Sequence, residues 1–155
     1  MDKVKAAGWY IVGLGVLILS ISMLVAFISG GVWLADKVLA WLGPIMWILL
    51  GIDILIFLPL TLFKKTKPYA GIAIFSSSYV FGLGLWMFGL LLTFFHWGYW
   101  GVIIGLIFLG VGVVPTAMLA TLLNGEFLAL GILLLFTFIT FASRFLGLNI
   151  IENSD

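Results

Sequence analysis

Residues 38–63 read VLAWLGPIMWILLGIDILIFLPLTLF, and this stretch contains a single ionisable residue, Asp53. A helix of about 20 apolar residues crosses the hydrocarbon core of a bilayer, which is about 30 Å thick. The stretch is therefore long enough to span a membrane with some tilt. Asp53 then lies near the middle of the bilayer, where a charged side chain costs about 2.5–3.5 kcal/mol on insertion scales. That cost predicts either a functional site or a specific structural contact at Asp53.

The composition of the whole chain indicates an integral membrane protein. Of its 155 residues, 65% are hydrophobic and 8% are charged, whereas a soluble domain of this size needs far more polar surface. The net charge of +1 excludes an extended basic surface, so we expect no nucleic-acid partner. The chain has no cysteine, which excludes disulfides, thiolate metal sites and thiol nucleophiles. We expect one transmembrane domain over residues 1–155, with the lipid bilayer around it.

Five apolar runs separated by short polar breaks predict an all-α bundle of five transmembrane helices. The predicted spans are 6–28, 38–63, 69–95, 99–123 and 127–143. The breaks contain Ser29-Gly30-Gly31, the KKTKP segment, His96-Trp97-Gly98 and Asn124-Gly125-Glu126. An alternative has four spans and a last segment that re-enters the bilayer or lies at its interface, because Arg144 falls near the end of the fifth run.

The distribution of basic residues predicts the orientation of the five spans. The N-terminus and the KKTKP segment lie on the same side, which then holds five of the seven basic residues. The positive-inside rule places that side in the cytoplasm and the C-terminus outside. The aromatic residues expected at the two membrane interfaces agree with this orientation. They are Trp9, Tyr10 and Tyr69 at the inner interface and Trp33, Trp41, Trp97 and Trp100 at the outer one.

Small residues recur at helical spacing on the third and fourth runs and predict where helices approach closely. Lipid provides no hydrophobic force between helices, so close backbone contacts contribute much of the attraction. The stripes contain Gly71, Ser78, Gly82 and Gly89 on the third run and Gly98, Gly101, Gly105 and Gly112 on the fourth. We interpret them first as packing surfaces within one chain. The alternative is an interface between copies of the chain.

Polar side chains from three runs fall at one predicted depth. At 1.5 Å per residue, Asp53 lies about 15 Å from the lysine-rich end of its run, and hydroxyl groups on the third and fifth runs fall at similar depths. These groups belong to Ser77, Ser78, Tyr79 and Thr137. No basic residue falls at that depth, so we expect Asp53 to be protonated at neutral pH in a small pocket of hydroxyls. The structural alternative is an aspartate that only fixes helix register.

Other polar residues give weaker indications. Thr137, Thr140 and Arg144 share a face of the fifth run and predict an outer polar face, either a vestibule or a contact with a partner. His96 is the only histidine, so packing at the interface fits it better than a ligand role. Because no nucleophile has a base at its depth and no metal-ligating residues cluster, the sequence predicts no enzyme, no metal and no cofactor.

The pattern as a whole favours an accessory or scaffolding membrane protein that acts through contacts with helices or lipids. Short loops, glycine stripes and little room for a soluble domain are typical of that class. The alternative is an oligomeric proton- or cation-coupled transporter or channel that uses Asp53 as an intramembrane carboxyl. A chain of 155 residues leaves little space for a gated pathway, so this alternative requires assembly. The expected partner is a second copy or another membrane subunit.

Overall fold

The computed structural model describes residues 2–107, 110 and 112–153, with side chains from residue 12 onward, and over these residues it is all-helical. Helix α1, Asp2–Ile52, continues through a π-helical turn, Asp53–Phe57, into a short helix α2, Leu58–Leu60. Helix α3 is Lys67–Ile107, α4 is Val113–Leu123 and α5 is Phe127–Glu152. Three segments are long and apolar enough to cross a membrane, namely Val12–Leu60, Lys67–Ile107 and Phe127–Glu152.

Helix α1 is continuous where the sequence predicted a break between residues 28 and 38. Ile28 and Ala35 are buried in a cluster with residues of α3 and α4. The hydroxyl of Ser29 lies 2.9 Å from the hydroxyl of Tyr99. These contacts hold the chain helical on both sides of the two glycines that follow Ser29. The predicted spans 6–28 and 38–63 therefore belong to one helix, and the count of five separate helices is not confirmed.

The two parts of α1 have different surroundings. From residue 28 onward the helix packs antiparallel to α3, with Met46 beside Gly84 and Asp53 beside Ser77. Every side chain from residue 12 to residue 27 is exposed. The 49-residue apolar segment Val12–Leu60 is about 74 Å long at 1.5 Å per residue, more than twice the hydrocarbon core. Residues 12–27, which we call the free segment, extend past the packed part of the molecule.

Helix α3 changes direction at Gly98, inside the predicted turn. Its backbone there has φ 61° and ψ −150°, which a residue with a side chain rarely adopts. The indole Nε1 of Trp86 donates a hydrogen bond of 2.8 Å to the carbonyl of Gly110. Trp86 precedes Gly98 by twelve residues, so Gly110 lies about 18 Å from Gly98 along α3. Residues 99–107 descend about 13 Å of this distance, and α4 returns. We call residues 99–107 and α4 together the short hairpin.

The short hairpin occupies residues of the predicted fourth span, 99–123, and a span over these residues is not confirmed. Helix α4 has 11 residues, about 17 Å, which is little more than half of the hydrocarbon core. Pro115 lies in its first turn, where backbone N–H groups have no helical acceptor and a proline is tolerated. Gly98 and Gly110, both with positive φ, together with Pro115, end one helix and start the next.

Because the hairpin returns to its starting side, α5 runs antiparallel to α3. At one end, the carboxylate of Glu126 lies 3.2 Å from Nε2 of His96. We call this the aromatic end, since Trp97 and Trp100 lie there. At the other end, which we call the lysine end, the Lys67 ammonium donates to the carbonyl of Asn153. Tyr69 is exposed at the lysine end.

This arrangement reverses the predicted placement of the two termini relative to the KKTKP segment. The C-terminal end of α5 lies beside that segment, whereas α1 starts at the opposite end of the molecule. The predicted placement is therefore not confirmed, because α1 does not break after residue 28 and the fourth run forms a hairpin instead of one long helix. The side chains of Trp9 and Tyr10, expected at the inner interface, lie outside the described residues.

Helices α3 and α5 approach closely through small residues. A Cβ atom on Gly147 would lie 2.8 Å from the backbone nitrogen of Phe75, and one on Gly71 would lie 3.2 Å from the carbonyl oxygen of Gly147. Gly82 faces the methyl group of Thr140 at 3.5 Å. The sequence analysis named Gly71 and Gly82 but missed Gly147, which has no second glycine at helical spacing on its own helix.

The glycines of the short hairpin also face residues of the same chain. Cβ atoms on Gly89 and Gly105 would lie 3.4 Å and 3.0 Å from the Cα atoms of Val114 and Val113 respectively. Gly101 packs against Trp97 within its own turn. Gly112 differs from the other members of its predicted stripe, because it is the N-cap residue of α4. The space that these glycines leave is thus filled within one chain.

Candidate functional site

Asp53 is buried where the end of α1 packs against α3. Its exposed fraction is 6%. The hydroxyl of Ser77 donates to Oδ1 of Asp53 at 2.9 Å and also lies 3.1 Å from the carbonyl of Ala73, so two acceptors share one hydroxyl hydrogen. The structure therefore places Asp53 beside one of the four hydroxyl groups that the sequence analysis assigned to it.

Asp53 is also the first residue of the π-helical turn. The backbone N–H of Leu58 bonds to the carbonyl of Asp53, five residues earlier. Pro59 follows directly, and in a regular α-helix its ring would collide with the carbonyl of Leu55. The wider turn relieves that collision. Single π-helical turns inside α-helices occur frequently at functional sites, so the turn supports Asp53 as a candidate functional residue.

The second carboxyl oxygen of Asp53, Oδ2, is buried and has no hydrogen-bond partner among the described residues. If Asp53 is protonated on Oδ2, its O–H group has no acceptor there, and if it is ionised, Oδ2 has no donor. A buried polar group without a partner costs about 1–3 kcal/mol. The carboxyl group thus has an unused hydrogen-bonding position, which a water molecule, a hydronium ion or a cation could take.

The structure does not bring the other predicted hydroxyls to Asp53. Ser78 is fully buried and donates to the carbonyl of Phe75 at 2.6 Å. Thr137 donates to the carbonyl of Leu133 at 2.7 Å, on its own helix. Tyr79 is 56% exposed. Consecutive helical residues point about 100° apart, so residues 77, 78 and 79 cannot all face α1. The predicted pocket of hydroxyls is therefore wrong, and a single Asp53–Ser77 contact replaces it.

Arg144 lies against Tyr79, with its guanidinium carbon 4.9 Å from the ring centre. Tyr79 is two residues from Ser77, so a basic residue does share the depth of Asp53, contrary to our expectation. The expectation failed because α5 runs towards the lysine end and carries Arg144 back to that level. Arg144 is exposed and stacks over the ring, and no ion pair joins it to Asp53 in the described part of the chain.

The predicted outer polar face of α5 does not form as one surface. Thr140 is buried, and its hydroxyl donates to the carbonyl of Phe136 at 2.7 Å. Arg144 is exposed on the flank that carries Tyr79. The i, i+4 spacing of Thr140 and Arg144 places them on the same side of α5, but Thr140 lies deeper because α3 covers it at Gly82.

His96 pairs with Glu126, a contact that the sequence did not predict. His96 Nδ1 lies 2.7 Å from the carbonyl of Leu92, and Nε2 lies 3.2 Å from the Glu126 carboxylate. The pair joins the aromatic ends of α3 and α5. No local pattern could have indicated it, because the two residues are thirty positions apart and meet only through the short hairpin. Glu126 is also the N-cap residue of α5, but its side chain forms no capping hydrogen bond.

Within the described ranges, no three histidine, aspartate or glutamate side chains cluster closely enough to hold a metal ion. Comparisons with protein families, with curated proteins and with solved structures give no match.

Proposed function

We propose that this protein is an accessory membrane subunit that binds helices of a partner membrane protein through the free segment. The supporting observation is that every side chain from residue 12 to residue 27 is exposed in a strongly apolar helix. Exposure of such a surface to water costs about 25 cal/mol per Å². A bilayer of about 30 Å cannot cover both the free segment and the packed part of a straight α1.

The junction after residue 28 gives the free segment a way to change direction towards a partner. A Cβ atom on Gly30 would have no neighbour within 4 Å, and glycine weakens a helix by about 1 kcal/mol relative to alanine. Ser29, Gly30 and Gly31 therefore form a position next to the free segment where α1 can bend at low cost. A bend there brings the free segment back into the hydrocarbon core, where it meets a neighbouring helix.

The arrangement of the hydroxyl side chains supports a binding role over catalysis. The hydroxyls of Ser78, Thr137 and Thr140 donate to carbonyls of their own helices. The hydroxyl of Ser77 is shared between two acceptors, Oδ1 of Asp53 and the carbonyl of Ala73. A nucleophile needs an adjacent base that removes its proton, and none of these hydroxyls has a histidine beside it in the described structure.

Photo-crosslinking in native membranes tests this proposal. A photoreactive residue at Leu19 or Met23, which are 71% and 77% exposed, should form an adduct with a membrane protein that co-purifies in fixed ratio with the full chain. The same residue at Phe138, 73% exposed on α5, should label lipid and serves as the matched control. Adducts of twice the 17.0 kDa chain mass would identify a second copy as the partner. Lipid adducts alone at Leu19 and Met23 would overturn the proposal.

A second candidate function is proton- or cation-coupled transport by an assembly of this chain. The unpartnered Oδ2 of Asp53, together with the π-helical turn that begins there, supports it. Reconstituted vesicles that carry the parent chain should then show proton or cation flux, and Asp53→Asn should abolish that flux. Asp36→Asn removes the exposed acid of the same helix and should leave the flux unchanged. Absence of flux from the parent chain would eliminate this candidate.

We propose that the lysine end faces the cytoplasm, because Lys64 and Lys65 are exposed there and lie directly after an apolar helix. The C-terminus then lies in the cytoplasm as well, since Asn153 contacts Lys67.

A further inference from the structure

A groove of about 450 Å³ opens between α1, α3 and α5 on the aromatic side of mid-height. Its wall includes Asp36, Gly43, Trp47, Phe88, Ile132 and Phe136. Trp47 and Phe136, both in this wall, pack edge to face with their ring centres 5.3 Å apart. Asp53, seven residues closer to the lysine end than Met46, does not line the groove, so the groove is separate from the site described above.

The length of the groove matches one leaflet of a bilayer. Along α1 it extends from Asp36 to Trp47, eleven residues or about 16 Å. The hydrocarbon core is about 30 Å thick, so one leaflet is about 15 Å deep. Trp33 and Trp100, which are exposed near the upper end of the groove, suit the level of the lipid headgroups. An apolar groove of this length, which opens to the side near the level of the lipid headgroups, fits one acyl chain.

Opposite charges lie together where the groove meets the headgroup level. The ammonium of Lys37 is 3.8 Å from the carboxylate of Asp36, and both side chains are mostly exposed. A lipid headgroup that carries a phosphate and a primary ammonium complements this pair, because the phosphate faces Lys37 and the ammonium donates to Asp36. A choline headgroup cannot donate hydrogen bonds from its nitrogen, and a glycerol headgroup carries no positive charge.

We infer that the groove is a binding site for a single phospholipid of the ethanolamine type. One acyl chain lies between Gly43 and Phe88, and the headgroup lies at Asp36 and Lys37. This inference does not depend on the free segment or on Asp53, so it can be tested independently of both proposed functions.

Native mass spectrometry of the full chain, released from nanodiscs with equal amounts of ethanolamine, choline and glycerol phospholipids, tests the inference. We expect one retained lipid, mostly of the ethanolamine type. A Cβ atom on Gly43 would have open space around it, so Gly43→Leu fills the groove without a clash and should lower retention roughly tenfold. Gly51→Leu is the matched control, because Gly51 also lies on α1 with open space around it but does not line the groove.

A separate substitution tests the proposed contact of the headgroup with Asp36. Asp36→Asn should remove the preference for ethanolamine over choline while the acyl chain is still retained. Ala40→Phe, at an exposed position of the groove wall, repeats the groove-filling test if Gly43→Leu does not fold. Equal retention of the three lipids by the parent chain, or equal loss in Gly43→Leu and Gly51→Leu, would overturn the inference.

Discussion

At the scale of single residues, Asp53 and Ser77 form one hydrogen bond inside an apolar interface, and each belongs to a different helix. The bond therefore holds α1 to α3 at a fixed register. Its contribution to stability should be modest, because hydrogen bonds between helices in membranes average about 0.6 kcal/mol and those to charged groups reach about 1.5–3 kcal/mol.

Ser77→Ala should lower the free energy of unfolding by about 1 kcal/mol, since Oδ1 of Asp53 then loses its donor. Denaturant titration in mixed micelles measures the change. Ser76→Ala is the control, because Ser76 is exposed and donates only to the carbonyl of Ile72. In an Asp53→Leu background the effect of Ser77→Ala should shrink. If Ser77→Ala lowered the free energy of unfolding equally in the Asp53→Leu background, the contribution of Ser77 would come from its hydrogen bond to the carbonyl of Ala73.

At the scale of helices, the crossing of α3 and α5 depends on the absence of a side chain at Gly147. The two backbones are so close there that a methyl group would press on the backbone of Phe75. Protein interiors absorb such an overlap only by moving a helix, which costs about 1–3 kcal/mol.

Gly147→Ala should therefore destabilise the protein by about 1–3 kcal/mol. The same change at Gly131, on the same helix with open space around it, should be neutral or stabilise by up to about 1 kcal/mol, because alanine favours helix. Thermal unfolding in detergent, followed by circular dichroism, compares the two variants. A loss of equal size in both would mean that α5 is not packed on α3 at Phe75.

At the scale of the whole molecule, the short hairpin decides which ends lie together. Because residues 99–107 and α4 descend and return at the aromatic end, α5 brings the C-terminus back to the KKTKP segment. If the fourth run crossed the bilayer, the C-terminus would lie on the opposite side.

The absence of cysteine makes this topology directly measurable with single introduced thiols. Lys65→Cys and Asn153→Cys should react with a membrane-impermeant maleimide from the same side, and Asn124→Cys should react from the other side. Labelling of positions 65 and 153 from opposite sides would contradict the hairpin. A cysteine at Gly125 is unsuitable as a replacement, because φ there is 75°.

The sequence by itself determined that this chain is a helical protein with segments long enough to cross a membrane. Apolar runs of more than 20 residues favour helices in lipid, because a helix satisfies its backbone groups within one segment. It also predicted turns containing Gly98 and Gly125, because positive φ suits glycine. It also placed Asp53 at the depth of hydroxyl groups on the third run, where a buried carboxyl group needs a donor.

The tertiary structure alone decided how the apolar runs divide into helices and which residues face one another. The depth of a residue along a helix does not determine the direction in which its side chain points around the helix axis. Only the packing of the helices therefore determines that Ser77, and not a neighbouring residue, contacts Asp53. Burial of Ile28 and Ala35 keeps α1 helical through two glycines that in isolation favour a break. The contact of Trp86 with Gly110 turns a run long enough to span into a hairpin. At the two glycines, long-range contacts outweigh a local preference of about 1 kcal/mol per residue, and such contacts have no local pattern in the sequence.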